Sequence, residues 1–156
     1  MKRVAKSQLE SAKDIQRAEN ERKIMEMNNH PFIINLHYAF QTDKFLYYVM
    51  DFAEGGELFT ILRHKGKLSE KIVQQYAAEI ILALAHLHSN NILYSDLKLE
   101  NLLIDRDGHI LLTDFGLSQI NRENYSVVGT REYLAPESIL NKTVTKAVDW
   151  WALVNL

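Results

Sequence analysis

Inside Tyr94-Ser95-Asp96-Leu97-Lys98-Leu99-Glu100-Asn101 a carboxylate, an ammonium and an amide lie within six residues, and a further carboxylate follows in Asp114-Phe115-Gly116. Asp96 on a loop could accept the proton of a hydroxyl nucleophile. Lys98 would supply positive charge for a transferred phosphate. Asn101 and Asp114, one amide oxygen and one carboxylate, suit magnesium, which prefers oxygen ligands and keeps several waters. Such a set fits phosphoryl transfer, where a protein contributes mainly positioning and charge neutralisation. Each residue alone could equally cap backbone groups in a polar turn. The pattern D-L-K-x-x-N arises by chance in roughly 0.1% of chains this long and D-F-G in roughly 2%, so their conjunction carries the weight.

Several elements must hold these residues in place. Asn101-Leu102-Leu103-Ile104 and His109-Ile110-Leu111-Leu112-Thr113 read as two strands around the Asp107-Gly108 turn, and Ile92-Leu93-Tyr94 as a short apolar entry to the Asp96 loop. The Asp-x-Asp start of that turn lacks the later glutamate of a calcium loop. Ser69 to His88 is the clearest helix, with Ile72, Val73, Tyr76, Ala77, Ile80, Ile81, Leu84 and Leu87 forming a wide stripe. His86 and His88 diverge on it and read as helix-end histidines, not a metal pair. Glu57 to Lys65 predicts a short helix closed by Gly66. Upstream, Phe32 to Phe40 alternates, placing Phe32, Ile34, Leu36, Tyr38 and Phe40 on one face, and Thr42-Asp43 can turn it into the β-prone run Phe45–Met50. Between Ser7 and about Asn28 a charged helix is expected, with capping-box spacing at both Ser7/Glu10 and Ser11/Asp14 and only a thin apolar stripe. Residues 117–134 carry few cues and read as an exposed loop; Ala135-Pro136-Glu137 restarts order, and Ala147 to Leu156 reads as a helix.

Composition narrows the function classes. The 156 residues are 47% hydrophobic and 24% charged, enough for one core of useful size. A net charge of −2 offers no bulk attraction to nucleic acid or anionic lipid. The absence of cysteine excludes disulfides, thiolate metal sites and a cysteine nucleophile. With no apolar run of signal-peptide or membrane-spanning kind, a cytoplasmic setting is expected.

The chain resembles eukaryotic serine/threonine protein kinases of the AGC group, nearest the protein kinase B branch. The resemblance rests on His30-Pro31-Phe32, Gly55-Gly56-Glu57-Leu58-Phe59, Tyr94 through Asn101, Asp114-Phe115-Gly116, Gly129 through Glu137 and Asp149 through Leu153. It implies an α+β kinase-like fold with an incomplete small lobe of β-hairpin plus helix over 1–52 and an incomplete, mainly helical large lobe over 53–156. It further implies ATP and Mg2+ as cofactors. Asp96 and Lys98 would be catalytic, and Asn101 and Asp114 would hold the metal. Lys2 would grip the nucleotide phosphates, paired with Glu21. Met50 would be the gatekeeper, Asp51 and Ala53 would offer backbone groups to adenine, Glu57 would meet the ribose and Leu103 would pack beneath the base. Glu57 and Glu100 would attract arginines of a basic protein substrate. Asp149 would brace the catalytic loop, and Ser126 falls at the activation-loop position that an upstream kinase phosphorylates.

Three departures temper that expectation. Tyr94 stands for the family's common histidine, as is usual in this group. Ser95 replaces the arginine that normally receives the activation-loop phosphate, and serine offers no charge-assisted contact. No Gly-x-Gly-x-x-Gly stretch occurs, and the sequence closes inside what would be the central large-lobe helix. The sequence therefore reads as a kinase domain truncated at both ends and, alone, weakly active or inactive; the alternative is a non-catalytic kinase-like interaction module.

Overall fold

In the computed structural model, which describes residues 1–120, 125–140 and 142–156, the run Phe45–Met50 is the middle strand (β3) of an antiparallel sheet. Lys2–Ala5 (β1) and Leu36–Gln41 (β2) flank it. The turn at Thr42-Asp43 forms as expected, closed by the Thr42 N–H donating to the Phe45 carbonyl at 2.8 Å. The expected hairpin and helix are both present, and Lys2–Ala5 adds a third strand to the hairpin. Lys2–Ala5 has little strand propensity of its own, but it pairs with β3 from Lys2↔Tyr48 to Ala5↔Phe45, and the Arg3 guanidinium lies 4.7 Å from the centre of the Phe45 ring.

The alternation over 32–40 does not become one strand. A bulge between Leu36 and Tyr38 shifts the register, which turns later side chains onto the other face. Tyr38 and Phe40 end 70% and 51% exposed, while the consecutive residues Ile33 and Ile34 are both buried. Those isoleucines lie instead against the strand that carries Leu112: the Ile34 N–H donates to the Leu112 carbonyl at 3.0 Å, and the Leu112 N–H donates to Phe32 at 2.9 Å.

Ala12–Met27 (α1) starts at the second of the two possible caps. The Ser11 hydroxyl accepts from the Asp14 N–H at 3.1 Å and the Asp14 carboxylate accepts from the Ser11 N–H at 3.2 Å, whereas Ser7 sits in a 3-10 turn. Its inner face buries Glu21, Ile24 and Met25, so the helix is more than a solvated one with a thin stripe. Leu58–Lys65 (α2) ends at Gly66, and Glu70–Ser89 (α3) follows. The buried stripe of α3 is narrower than predicted: Ile80, Ala83, Leu84 and Leu87 face the core, but Val73 and Ile81 lie outside it.

Gly56–Glu57 (β4), Leu102–Ile104 (β6) and Ile110–Leu112 (β7) form a second sheet in the order β4-β6-β7, and Ile92–Leu93 (β5) pairs with Gln119–Ile120 (β8). Gly55 is needed where β4 begins: a Cβ there would stand 2.8 Å from Ile104. Pro136–Ile139 (α4) and Ala147–Val154 (α5) complete the elements. The exposed loop expected over 117–134 is partly overturned, because Ser118 and Gln119 are buried and Arg131–Tyr133 makes a 3-10 turn; residues 121–124 lie outside the described residues. One core runs through the molecule, joining Ile24 of α1 and Ile33 to Leu84 and Leu87 of α3, Leu97, Leu102, Leu112 and Phe115.

Candidate active site

Tyr94, which leads out of β5, is wholly buried and anchors the loop. Its hydroxyl donates to the Thr113 carbonyl, and its ring meets Phe115 edge-on at 5.6 Å. Burial first, then the charges of Asp114 and Asp96, push the phenol well above its ordinary pKa, so it stays a proton donor. Ser95 follows at φ +74, a conformation that costs a serine on the order of 1 kcal/mol. Asp149 on α5 offsets that cost. Its carboxylate accepts from the Tyr94 N–H at 3.0 Å and the Ser95 N–H at 2.8 Å. His88 Nε2 lies 2.7 Å from the same carboxylate, so this histidine is a partner of the loop's brace and not merely a helix end.

The brace delivers Asp96 to a closed hydrogen-bonded ring. Lys98 Nζ lies 2.8 Å from Asp96 Oδ2 and donates to Thr130 Oγ1 at 3.0 Å, while the Thr130 hydroxyl donates to Asp96 Oδ1 at 2.7 Å. Burial of Lys98 opposes its charge, but the hydrogen bond and charge of Asp96, with Glu100 and Asp114 behind it, hold the ammonium above the usual lysine range. Thr130 was not among the expected site residues. Its spacing from Asp96 carries no periodicity; the signals that bear on it are its place in the stretch Gly129 through Glu137 and the preceding Gly129, where a Cβ would stand 2.5 Å from the Ser95 carbonyl at φ +125. That glycine lets the segment carrying Thr130 approach the loop.

Asn101 and Asp114 are brought together by the β6–β7 hairpin. The ladder from Leu102↔Leu112 extends to the Thr113 N–H, which donates to the Asn101 carbonyl at 3.0 Å, and Asp114 is next. The Asn101 amide nitrogen donates to the Asp96 carbonyl and to Asp96 Oδ2, at 2.8 and 3.1 Å. This leaves the amide oxygen as the group able to meet a cation. Asp114 is half-exposed at φ +57, its carboxylate accepting from the Gly116 N–H at 3.3 Å. Among the described residues no three acidic or histidine side chains gather as a metal cage. One amide and one carboxylate nevertheless match an ion that keeps water and shares phosphate oxygens.

Lys2 joins the small sheet to this centre. Its ammonium lies 2.6 Å from Glu21 Oε1 and 3.8 Å from Asp114 Oδ1. Burial raises the Glu21 carboxyl above its ordinary pKa, and Lys2 opposes that rise. Met50 and Leu103 are half-buried against the core, and Glu57 pairs across the sheet with Leu103. The Asp51 N–H is taken by the Asn35 carbonyl at 3.2 Å, but its own carbonyl and the Ala53 N–H make no hydrogen bond among the described residues. The Asp51 side chain binds Asn35 and His37. Glu100 is exposed on a 3-10 turn beside the ring. The Ser126 main chain is tied to the Gln119 side chain. A groove of about 790 Å³ between α1 and the small sheet includes none of these site residues in its lining. No helix of the structure is long and apolar enough to cross a membrane.

A family model described as the protein kinase domain matches residues 1–155. A probable serine/threonine-protein kinase of Dictyostelium discoideum is 48% identical over 98% of this chain and 34% of its own length. The cAMP-dependent protein kinase catalytic subunit of the same organism is 48% identical over 98% of the chain and 24% of its length. Human ribosomal protein S6 kinase alpha-3 is 49% identical over 96% of the chain and 21% of its length. The chain thus spans about a third or less of these relatives. With its fold, its loop and this match along nearly its whole length, the chain belongs to the protein kinase family, among serine/threonine kinases of the AGC group.

Proposed function

We propose that the protein carrying this chain is a serine/threonine kinase that moves the γ-phosphate of ATP to a hydroxyl of a protein substrate. The observation that carries the reading is the ring of Asp96, Lys98 and Thr130 beside Asn101. In it a carboxylate is oriented from three sides, leaving it poised to accept a hydroxyl proton. Lys98, held charged by Asp96, stabilises negative charge gathering on the transferred phosphoryl oxygens. Asn101 and Asp114 would hold magnesium, which supplies charge neutralisation at the phosphates. Lys2, oriented by Glu21, would bind the nucleotide phosphates. Met50, Asp51, Ala53, Glu57 and Leu103 would frame adenine and ribose, the open Asp51 carbonyl and Ala53 N–H being the pair that adenine needs.

The two-lobe division at 52/53 belongs to the same proposal, as does a basic substrate drawn to Glu57 and Glu100. The family also offers Ser126 to an upstream kinase. A kinase-like interaction module without turnover is the weaker reading, because the Lys2–Glu21 pair and the ring are both assembled. The test is phosphorylation of an arginine-containing serine peptide by the full-length protein with Mg-ATP. Asp96→Asn should reduce kcat at least 100-fold. Equal turnover by that variant would overturn the assignment.

A further inference from the structure

Gln119 on β8 is 5% exposed, and its side-chain amide makes three hydrogen bonds. Its Oε1 accepts from the Ser126 N–H at 2.7 Å, and its Nε2 donates to the Ser126 carbonyl at 3.0 Å and to the Ser95 hydroxyl at 3.4 Å. The amide thus treats Ser126 as a strand partner would, engaging both main-chain groups of one residue and leaving its side chain out of the contact. The neighbouring small pocket is lined in part by Ser95, Ser126, Asp96 and Asp149 and, among the described residues, by no lysine or arginine.

We infer that Gln119 is a positioning residue: its neutral amide clamps the Ser126 main chain and holds the 125–130 segment, with Thr130 at its end, against Asp96 without a phosphate on Ser126. The consequence for turnover rests on the kinase reading above, but the clamp itself does not. The chain of contact is short. Gln119 also pairs with Leu93 in the β5–β8 ladder, so the strand that leads into the catalytic loop carries the clamp for the segment that completes the ring.

Hydrogen–deuterium exchange of the full-length protein tests the clamp without needing catalysis. Gln119→Met keeps bulk but removes all three bonds. Losing the two bonds to the Ser126 main chain, at about fivefold each, predicts exchange at residues 126–130 about 25-fold faster, with the α3 core unchanged. Ser126→Ala and phosphatase-treated protein should stay within twofold of wild type, because the clamp grips main chain. Gln119→Glu retains one acceptor and should fall between. The inference is overturned if Gln119→Met leaves exchange unchanged or quickens α3 equally, or if Ser126→Ala or phosphatase releases the segment. Should Gln119→Met not fold, the Ser126→Ala and phosphatase results still decide. In peptide phosphorylation, Gln119→Met should lower kcat about tenfold with the KM for ATP within twofold, a split that general destabilisation does not produce; a matching rise in KM would refute positioning. A wild-type protein without turnover would defeat the kinase reading and leave the exchange result to judge the clamp.

Discussion

Asp149→Asn should unfasten the loop from Tyr94 to Asn101 while leaving its residues in place. Asp149 is 1% exposed, and its two oxygens accept from the N–H groups of Tyr94 and Ser95 and lie against His88 Nε2. Asparagine has one oxygen and one NH2 at that point. If its oxygen keeps Tyr94 and His88, its NH2 faces the Ser95 N–H, donor against donor. A charge-assisted bond to a backbone amide is worth about 1.5–3 kcal/mol, and the orphaned buried donor adds its own desolvation cost. The remaining bonds also weaken when the acceptor loses its charge. We expect a loss of about 3 kcal/mol, or a Tm lower by about 6–12 °C for a domain of this size. Trp150 and Trp151 adjoin the substitution, and the Trp150 ring lies 5.1 Å from that of His88, so urea unfolding followed by tryptophan fluorescence reports the change locally. Exchange at the Tyr94 and Ser95 amides should quicken more than exchange in α3. A stability loss below about 0.5 kcal/mol would mean that the positive-φ turn at Ser95 holds itself, and the bracing argument would be refuted.

Other perturbations have equally definite outcomes. Lys2→Met leaves the Glu21 carboxylate buried without its partner, and discounting for the partial exposure of Lys2 predicts a loss of about 1–3 kcal/mol near neutral pH. Glu21 is already raised by burial, so folding binds its proton more tightly and stability falls as pH rises from the ordinary carboxyl range through the folded value; the variant should steepen that fall in urea titrations. His109 is raised by its hydrogen bond to Glu79, with burial opposing and the Glu79 charge assisting. Its contribution is therefore complete below the unfolded histidine value of about 6.5 and is lost as pH climbs through the folded value; Glu79→Gln should flatten that slope, and an unchanged slope would point elsewhere. Thr130→Val keeps shape but opens the ring, and kcat should drop about 10- to 100-fold with little change in the KM for ATP, since the hydroxyl touches Asp96 and Lys98.

The part of the candidate site legible in the sequence is confined to short, contiguous stretches. Asp96, Lys98, Asn101 and the hairpin to Asp114 sit within one local unit, so residue type and turn signals sufficed to place them. Elements whose form depends on distant partners are less legible. The basic Lys2–Ala5 becomes a strand only because β3 offers an edge, and the even alternation over 32–40 is broken by a bulge and by the bridge to Leu112. Gln119 and Thr130 escaped for a related reason. An amide and a hydroxyl in a stretch poor in propensity look like surface, and their value comes from backbone groups that long-range packing carries to them. The substitution at Ser95 looked, by itself, like lost regulation, because a serine cannot hold a phosphate as arginine does. Its hydroxyl instead accepts from the same amide that grips Ser126, so the loss of a cation and the presence of Gln119 form one arrangement. An arginine restored at Ser95 should therefore not strengthen the segment by charge alone: it would enter a pocket shared with Asp96 and Asp149 and compete with Lys98 and the backbone donors for those carboxylates.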